Sequence, residues 1–303
     1  MSLFKRITNI FSRSDVADGA TAIGHEFDTT NALSTSGAKL VSFKNNGTAV
    51  LDFNFVGGID HANSGATTAA HAESLNLNWI SDTIKTSSGL RSVVIGNSNR
   101  ASSNYTFAGG NGNTVTASLS LAWGQLNTIS DLYSVAFGNS NTIGLNTGYA
   151  FVMGKEAVVG TPTTIAIGVG KHTTDGDAQV MTTGLKVATA DATQTDLTPY
   201  AEVMVIPADT TWVFSGLVAA RSDETDGNVS AGWKIEGVLY RDESGNTTIQ
   251  GVTVTEIYSG FTTAAVAVEA DDTNEVLAIK VTGEATTNIH WTGKLDIAQA
   301  GYA

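Results

Sequence analysis

Two stretches decide the fold: SVVIGNSN at residues 92–99 and SVAFGNSNTIG at residues 134–144 nearly repeat each other. The glycines at their equivalent positions belong to a series spaced by fourteen residues, with one interval of sixteen. The series consists of Gly96, Gly110, Gly124, Gly138, Gly154 and Gly168. A period this short leaves no room for a helix or a globular unit, so we expect the chain to coil, with successive coils hydrogen-bonded about 4.8 Å apart.

Side-chain size alternates around each glycine. The residue three positions before each glycine is apolar, and the residue two positions before it is Val or Ala. The residue one position before is also apolar, except that Gly109 precedes Gly110. Asparagine follows the first four glycines after three residues, at Asn99, Asn113, Asn127 and Asn141. Each unit therefore predicts a strand, a Gly-Asn turn and a second strand, with one strand face filled by bulky side chains and the other close to a neighbour. Stacked asparagines can form a hydrogen-bonded ladder, and so thin a solenoid needs other chains beside it.

The repeat over residues 91–170 resembles the left-handed parallel β-roll of trimeric autotransporter adhesin heads, which also occurs in bacteriophage fibres. This resemblance implies a homotrimer. Two features depart from the adhesin pattern: asparagine replaces the usual small residue after the turn, and no membrane-anchor barrel or long coiled-coil stalk follows. The departures favour a phage virion protein.

Composition restricts the partners. Sixteen Lys and Arg against 29 Asp and Glu give a formal charge of −13, which disfavours nucleic acid and anionic membranes. Residues 185–303 carry −11 of this charge and residues 1–184 only −2, which indicates a boundary near residue 185. The chain of 303 residues has no cysteine for disulfides or thiolate metal sites. No apolar run reaches the roughly 18–20 residues of a membrane span.

The N-terminus carries an apolar stripe at helical spacing, so we expect a short helix there. Its residues are Leu3, Phe4, Ile7, Ile10 and Phe11. We expect residues 1–20 to dock this stripe on another virion protein; a frayed tail and membrane-surface binding are the alternatives.

The flanking segments predict further β-structure. Residues 21–90 contain two alternating runs around Asn45-Asn46-Gly47, a hairpin signal, and three copies could close a β-prism. Residues 91–177 form the predicted β-roll. Residues 178–303 contain seven alternating runs, from AEVMVIP at 201–207 to NIHWTGKLDIA at 288–298, and predict an antiparallel β-sandwich resembling a jelly roll. The expected fold class is thus all-β, with a trimeric solenoid stalk and a sandwich head.

Catalytic motifs are lacking. The sequence has no Walker loop, GxSxG elbow, HExxH or EF-hand loop, so we expect no enzymatic activity, cofactor or metal. A histidine on a trimer axis remains an alternative metal ligand, above all His61 or His71. We interpret two further sets of acidic residues as solvated acids in loops. Glycan hydrolysis by the first set and calcium binding by the second are the alternatives. These groups are Asp223, Glu224, Asp226, Asp242 and Glu243, and Asp271, Asp272 and Glu275.

Two C-terminal loops are the candidate receptor contacts, represented by Arg221, Asp223 and Asp226 in one and by Arg241 and Asn246 in the other. The aromatic residues of this segment lie in alternating runs and are expected in the core. They are Trp212, Trp233, Tyr240, Tyr258 and Trp291.

Together these features predict a homotrimeric phage tail fibre that is assembled in the host cytoplasm and resides in the virion. Its N-terminus would bind other virion proteins, and its C-terminal head a host-surface glycan or protein. The alternatives are a capsid fibre or decoration protein and a glycan-cleaving tailspike.

Overall fold

A computed structural model describes residues 39–45, 48–54, 59–60, 75–79 and 88–302, and every regular element in these ranges is a β-strand. The first four strands are β1 (Lys39–Asn45), β2 (Thr48–Asn54), β3 (Ile59–Asp60) and β4 (Leu75–Trp79). Strands β1 and β2 pair antiparallel, which confirms the predicted hairpin. The predicted N-terminal helix lies outside the described residues.

The repeat forms a solenoid of six coils. Each coil contributes a long strand to one parallel sheet, and the first five contribute a two-residue strand to a second parallel sheet. The long strands are β5 (Val93–Asn97), β7 (Phe107–Asn111), β9 (Leu121–Gln125), β11 (Val135–Asn139), β13 (Phe151–Lys155) and β15 (Thr164–Val169). The short strands are β6 (Arg100–Ala101), β8 (Thr114–Val115), β10 (Thr128–Ile129), β12 (Thr142–Ile143) and β14 (Val158–Val159).

Alanine, valine and isoleucine side chains fill the interior of the solenoid. The buried residues of the long strands are Val94, Ala108, Ala122, Ala136, Val152 and Ala166, and those of the short strands are Ala101, Val115, Ile129, Ile143 and Val159. The bulkier residues that alternate with them on the long strands point outward. The long strands contribute mostly alanine to this interior, and most of their bulky apolar groups remain at the surface of a single chain.

The glycine column is sterically required. From Gly96 to Gly154 the repeat glycines have φ between +93° and +122°. A Cβ on Gly124 would lie 2.1 Å from the carbonyl oxygen of Gly138 in the next coil. These glycines occupy the fourth position of each long strand, just before the corner. Gly168 differs, because its φ is ordinary and its Cβ would instead meet the carbonyl oxygen of Lys155 at 2.3 Å.

An asparagine ladder lines one corner of the solenoid and confirms the predicted stacking. The side-chain oxygen of Asn113 accepts hydrogen bonds from the backbone N–H and the side-chain amide of Asn127, both at 2.9 Å. The Asn127 amide also donates to the carbonyl of Gly138 at 2.9 Å. The ladder extends from Asn99 to Asn141 with all four side chains fully buried, so it satisfies backbone groups that water cannot reach.

The strands that follow the last coil pair antiparallel. Strand β16 (Ala178–Thr189) pairs antiparallel with β15, and the sheet continues through β23, β18, β19 and β20. A second sheet has the order β17, β22, β21. The remaining bounds are β17 (Gln194–Asp196), β18 (Thr210–Ser222), β19 (Ser230–Arg241), β20 (Thr247–Ser259), β21 (Ala265–Asp271), β22 (Val276–Thr282) and β23 (Ile289–Gly301).

The two antiparallel sheets share one hydrophobic core. Trp291, Phe214 and Ile235 of the large sheet and Leu277 and Ile279 of the small sheet are almost fully buried within it. The structure thus confirms an all-β chain with a solenoid and additional antiparallel sheets.

Two details of the predicted strands are wrong. Residues 201–207 form only an isolated bridge, between Val205 and Val276, because the chain between Pro199 and Pro207 bonds to the edge of β22 rather than entering a ladder. Strand β16, which joins the solenoid to the C-terminal sheets, was not among the predicted runs, since Thr182, Thr183 and Gly184 interrupt its apolar pattern.

Candidate interaction surfaces

The outward side of the long-strand sheet carries a continuous apolar surface. We call it the solenoid face; it consists of two columns, Val93, Phe107, Leu121, Val135, Phe151 and Ile165 beside Ile95, Gly109, Trp123, Phe137, Met153 and Ile167. The ring of Phe107 stacks on Trp123 with centroids 5.7 Å apart. A Cβ on Gly109 would lie 2.3 Å from the Trp123 ring, which explains why a glycine interrupts the column there.

A second exposed column follows the corner between successive coils. Tyr133 and Tyr149 stack face to face with centroids 5.0 Å apart, and Tyr149 contacts Tyr200 at 5.8 Å. Arg91 lies over the ring of Tyr105, and Lys186 over that of Tyr200. The rings of this column thus contact one another and nearby cations while each stays about half exposed.

The first predicted receptor loop joins β18 to β19 and is held by its own hydrogen bonds. Arg221 donates to the carbonyl and the side-chain oxygen of Asn228. The hydroxyl of Thr225 and the backbone N–H of Asp226 donate to the Asp223 carboxylate, and these bonds lower the pKa of Asp223. Asp226 in turn accepts the N–H of Asn288 at 2.7 Å. These polar groups therefore shape the loop.

The second predicted receptor loop joins β19 to β20. The side chain and backbone N–H of Asn246 donate to the Asp242 carboxylate at 2.7 and 2.8 Å and lower the pKa of Asp242. Arg241 donates to the carbonyl of Ile206 at 2.9 Å and lies 3.3 Å from the Glu275 carboxylate.

The structure does not bring the two loops together. They lie at opposite ends of β19, whose twelve residues span about 36 Å. The strands of this sheet stack as a continuation of the solenoid sheet, so the loops project from its two lateral sides. Within one chain, the two loops therefore do not line one compact site.

Several of the acids considered for catalysis or calcium binding accept hydrogen bonds that organise their own turns. Asp271 accepts hydrogen bonds from Thr273 and Asn274 within its own turn, and Asp272 accepts the N–H of Thr247. Within the described ranges no group of three or more His, Cys, Asp or Glu side chains is placed to hold a metal ion. His172 and His290 are exposed at the surface, while His25, His61 and His71 lie outside the described residues.

The predicted core aromatics divide into two groups. Trp212, Trp233 and Trp291 are buried, as predicted, whereas Tyr258 on the edge strand β20 is exposed. Tyr240 is intermediate. The prediction fails at Tyr258 because the smaller sheet does not cover this part of β20, where residues 250–258 are all exposed.

The solenoid meets the C-terminal sheets around a cavity of about 310 Å³. Its walls include Val158, Met181, Met204, Trp212 and Gln299. The indole N–H of Trp212 donates to the Gln299 side chain at 2.7 Å, which satisfies both groups inside the protein.

A loop beside this cavity is organised by the buried carboxylate of Asp177. Burial alone raises its pKa, but backbone N–H bonds from Thr173, His172 and Thr174 and the Thr173 hydroxyl outweigh burial and lower the pKa to about 2. The carboxylate is therefore a structural anion at neutral pH.

These features define a β-solenoid protein with outward apolar surfaces and polar lateral loops. In the part of the chain that the structure describes, no helix is long and apolar enough to cross a membrane. No protein-family model and no curated protein sequence matches the chain.

Several solved phage tailspike structures are similar to it. The tailspike of Acinetobacter baumannii phage AM24 is 10% identical with a TM-score of 0.25, covering 76% of this chain and 50% of that one. A tailspike of Acinetobacter baumannii bacteriophage Fri1, described as a capsular polysaccharide depolymerase, is 8% identical with a TM-score of 0.29, covering 75% and 53%. The tailspike of Acinetobacter phage vB_ApiP_P1 is 9% identical with a TM-score of 0.20, covering 76% and 50%. The matched region thus spans about half the length of these structures.

The comparison corrects one expectation. The sequence motifs predicted a protein without enzymatic activity, and the description of the Fri1 tailspike as a depolymerase contradicts that prediction, which we withdraw. Motif searches miss such enzymes when their acids come from distant parts of the chain rather than from a short signature. Because the TM-scores are below 0.5, no catalytic or binding residue is transferred from these structures to this chain.

Proposed function

We propose that this protein is a homotrimeric structural component of a phage tail, which attaches to the virion through its N-terminal segment and binds the host surface through its C-terminal sheets. The phage assignment is supported by the resemblance of the repeat over residues 91–170 to phage-fibre β-rolls. The proposal does not rest on the tailspike likenesses.

The solenoid face is the observation that supports association of several copies of the chain. Trp123, Phe137 and Met153 are each more than a third exposed in a single chain, and they adjoin one another across consecutive strands. A continuous apolar surface of this kind is typical of a protein–protein interface. Other copies of the same chain, arranged in parallel, would cover it while the small residues inside each solenoid stay buried.

The elongated sheet suits a protein that presents its C-terminal sheets at a distance from its attachment point. Fifteen strands form one hydrogen-bonded sheet from β1 to β20, which at about 4.8 Å per strand spans roughly 65 Å. In the proposed arrangement, Leu3 and Phe4 lie in the virion-docking segment, and the C-terminal sheets are held away from it. Each trimer would present three copies of the loops at Arg221–Asp226 and Arg241–Asn246, so weak single contacts would add through multivalency.

The test uses the purified full-length chain and intact virions. Light scattering should give about three times the chain mass of 31.4 kDa, and the protein should compete with phage adsorption to host cells. Cryo-electron microscopy should find its density on the tail. Density on the capsid would instead assign a decoration function, and a monomer without effect on adsorption would refute the proposal. Release of reducing ends from host polysaccharide would add cleavage to binding.

A further inference from the structure

One column of the solenoid face continues into the C-terminal sheet. Register pairing connects Ile167 of β15 to Val180, Val180 to Ala298, Ala298 to Val213, and Val213 to Val238. We call the whole row from Ile95 to Val238 the apolar column. It crosses ten strands without a charged residue, and its side chains point to the same side of the sheet.

The neighbouring column becomes polar at the same boundary. Ile165 pairs with Thr182, whose hydroxyl donates to Asp296 at 2.7 Å. Farther along the same face, Lys294 lies 2.8 Å from Asp296 and Lys234 lies 2.6 Å from Glu236. The apolar column is thus a narrow ridge beyond the solenoid, bordered on one side by charged pairs.

The solenoid face alone is small for a stable contact. Six strands about 4.8 Å apart and five residues wide give roughly 450 Å². Specific interfaces bury about 800 Å² per partner, and in a trimer two neighbours share the available face. A contact confined to the solenoid would therefore fall short of this area, whereas the continuation over β16, β23, β18 and β19 adds four longer strands to it.

We infer that a second copy of this chain packs in parallel along the entire apolar column, so that Val180, Val213 and Val238 form a copy-to-copy contact within the C-terminal sheets. This inference rests on the proposed trimer and extends its interface. A parallel copy presents the same strand spacing, so side chains of the two columns can interdigitate at every step. An unrelated globular partner lacks this matching period.

The arrangement has a consequence for the receptor loops. With the apolar column turned toward other copies, the C-terminal sheets form a fixed cluster instead of independent heads. The loops at the two ends of β19 then lie at the sides of the cluster, and loops from different copies approach each other.

The chain has no cysteine, so single cysteine variants test the contact cleanly. Val213→Cys lies on the apolar column, and Leu217→Cys lies on the same strand and face but pairs with Lys294 and Lys234. The two side chains are almost equally exposed, at 54% and 56%. A bismaleimide spanning about 10 Å, the spacing of sheets packed face to face, should cross-link copies through Val213→Cys and much less through Leu217→Cys.

Charge substitutions at the same positions supply a second measurement. Val213→Glu should weaken association at least tenfold in sedimentation, and Leu217→Glu, placed between two lysines, should leave it unchanged. Phe137→Cys reports on the solenoid contact independently. Cross-linking through Phe137→Cys but not Val213→Cys, with normal association of Val213→Glu, overturns the inference while the trimer stands. A monomeric wild type that is not cross-linked at either position refutes the proposed assembly itself.

Discussion

Replacing Asn127 by alanine should destabilise the solenoid more than any exposed asparagine substitution can. The Asn127 side chain occupies the middle of the ladder, fully buried. Its oxygen accepts the backbone N–H of Asn141 at 3.1 Å and the Asn141 amide at 3.0 Å. Its amide donates to Asn113, and to the carbonyls of Trp123 and Gly138.

The magnitude follows from what the substitution leaves behind. The buried N–H of Asn141 loses its acceptor, and the amide of Asn141 and the oxygen of Asn113 each lose one of several partners. A buried polar group without a partner costs about 1–3 kcal/mol. One fully orphaned group together with several weakened ones should lower the free energy of unfolding by about 3–5 kcal/mol per chain.

The assay is denaturant or thermal unfolding at one fixed protein concentration, because assembly makes the midpoint concentration-dependent. Asn139→Ala is the matched control, since its side chain donates to Gln125 and accepts the hydroxyl of the adjacent Ser140 near the surface and its loss should cost about 0.5 kcal/mol or less. Asn127→Asp separates the two functions of the side chain. It retains an acceptor for Asn141 but places a carboxylate against two carbonyls, so it should be at least as damaging at neutral pH and partly rescued by acid.

A loss below about 1 kcal/mol for Asn127→Ala, equal to that of Asn139→Ala, would refute this reasoning. It would mean that water enters the corner and replaces the ladder, and that the ladder contributes little to the stability of the solenoid.

Three further substitutions test other parts of the fold. Gly124→Ala should prevent soluble folding, since its φ is +122° and a Cβ would lie 2.1 Å from a carbonyl oxygen, whereas Gly184→Ala, with nothing within 4 Å, should give a normal yield. Asp177→Asn should reduce the loss of stability in acid: the folded pKa of about 2 lies below the ordinary 3.8, so the carboxylate contributes about 2 kcal/mol above pH 3.8, lost as pH falls toward 2. A pH titration of unfolding in which both proteins lose stability equally over this window would contradict it. Phe214→Ala should cost about 3–5 kcal/mol because the ring is buried; a change in melting temperature under 2 °C would count against a single shared core.

The solenoid could be predicted from the sequence because each coil repeats the same local constraint. A fourteen-residue period, small residues at alternate positions and asparagine after the turn leave one way to stack the strands, and Asn113 and Gly124 occupy the positions that this stacking requires. The hairpin of β1 and β2 was equally predictable from its turn signal and alternating strands.

The C-terminal region depended on tertiary context. Strand β16 has an irregular apolar pattern and exists because β15 and β23 pair with its two edges. Arg221 and Arg241 lie near the C-terminal ends of β18 and β19, beside the two loops, but sequence distance does not show that consecutive hairpin turns lie at opposite ends of a long strand.

By itself, then, the sequence determined the coil, its period and the polar ladder at its corner, because these depend on interactions repeated every fourteen residues. Only the tertiary structure decided that the bulky alternate residues face outward and that Val180, Ala298 and Val213 extend their column. Those three residues are far apart in the chain, and strand order and register bring them together, which no local pattern specifies.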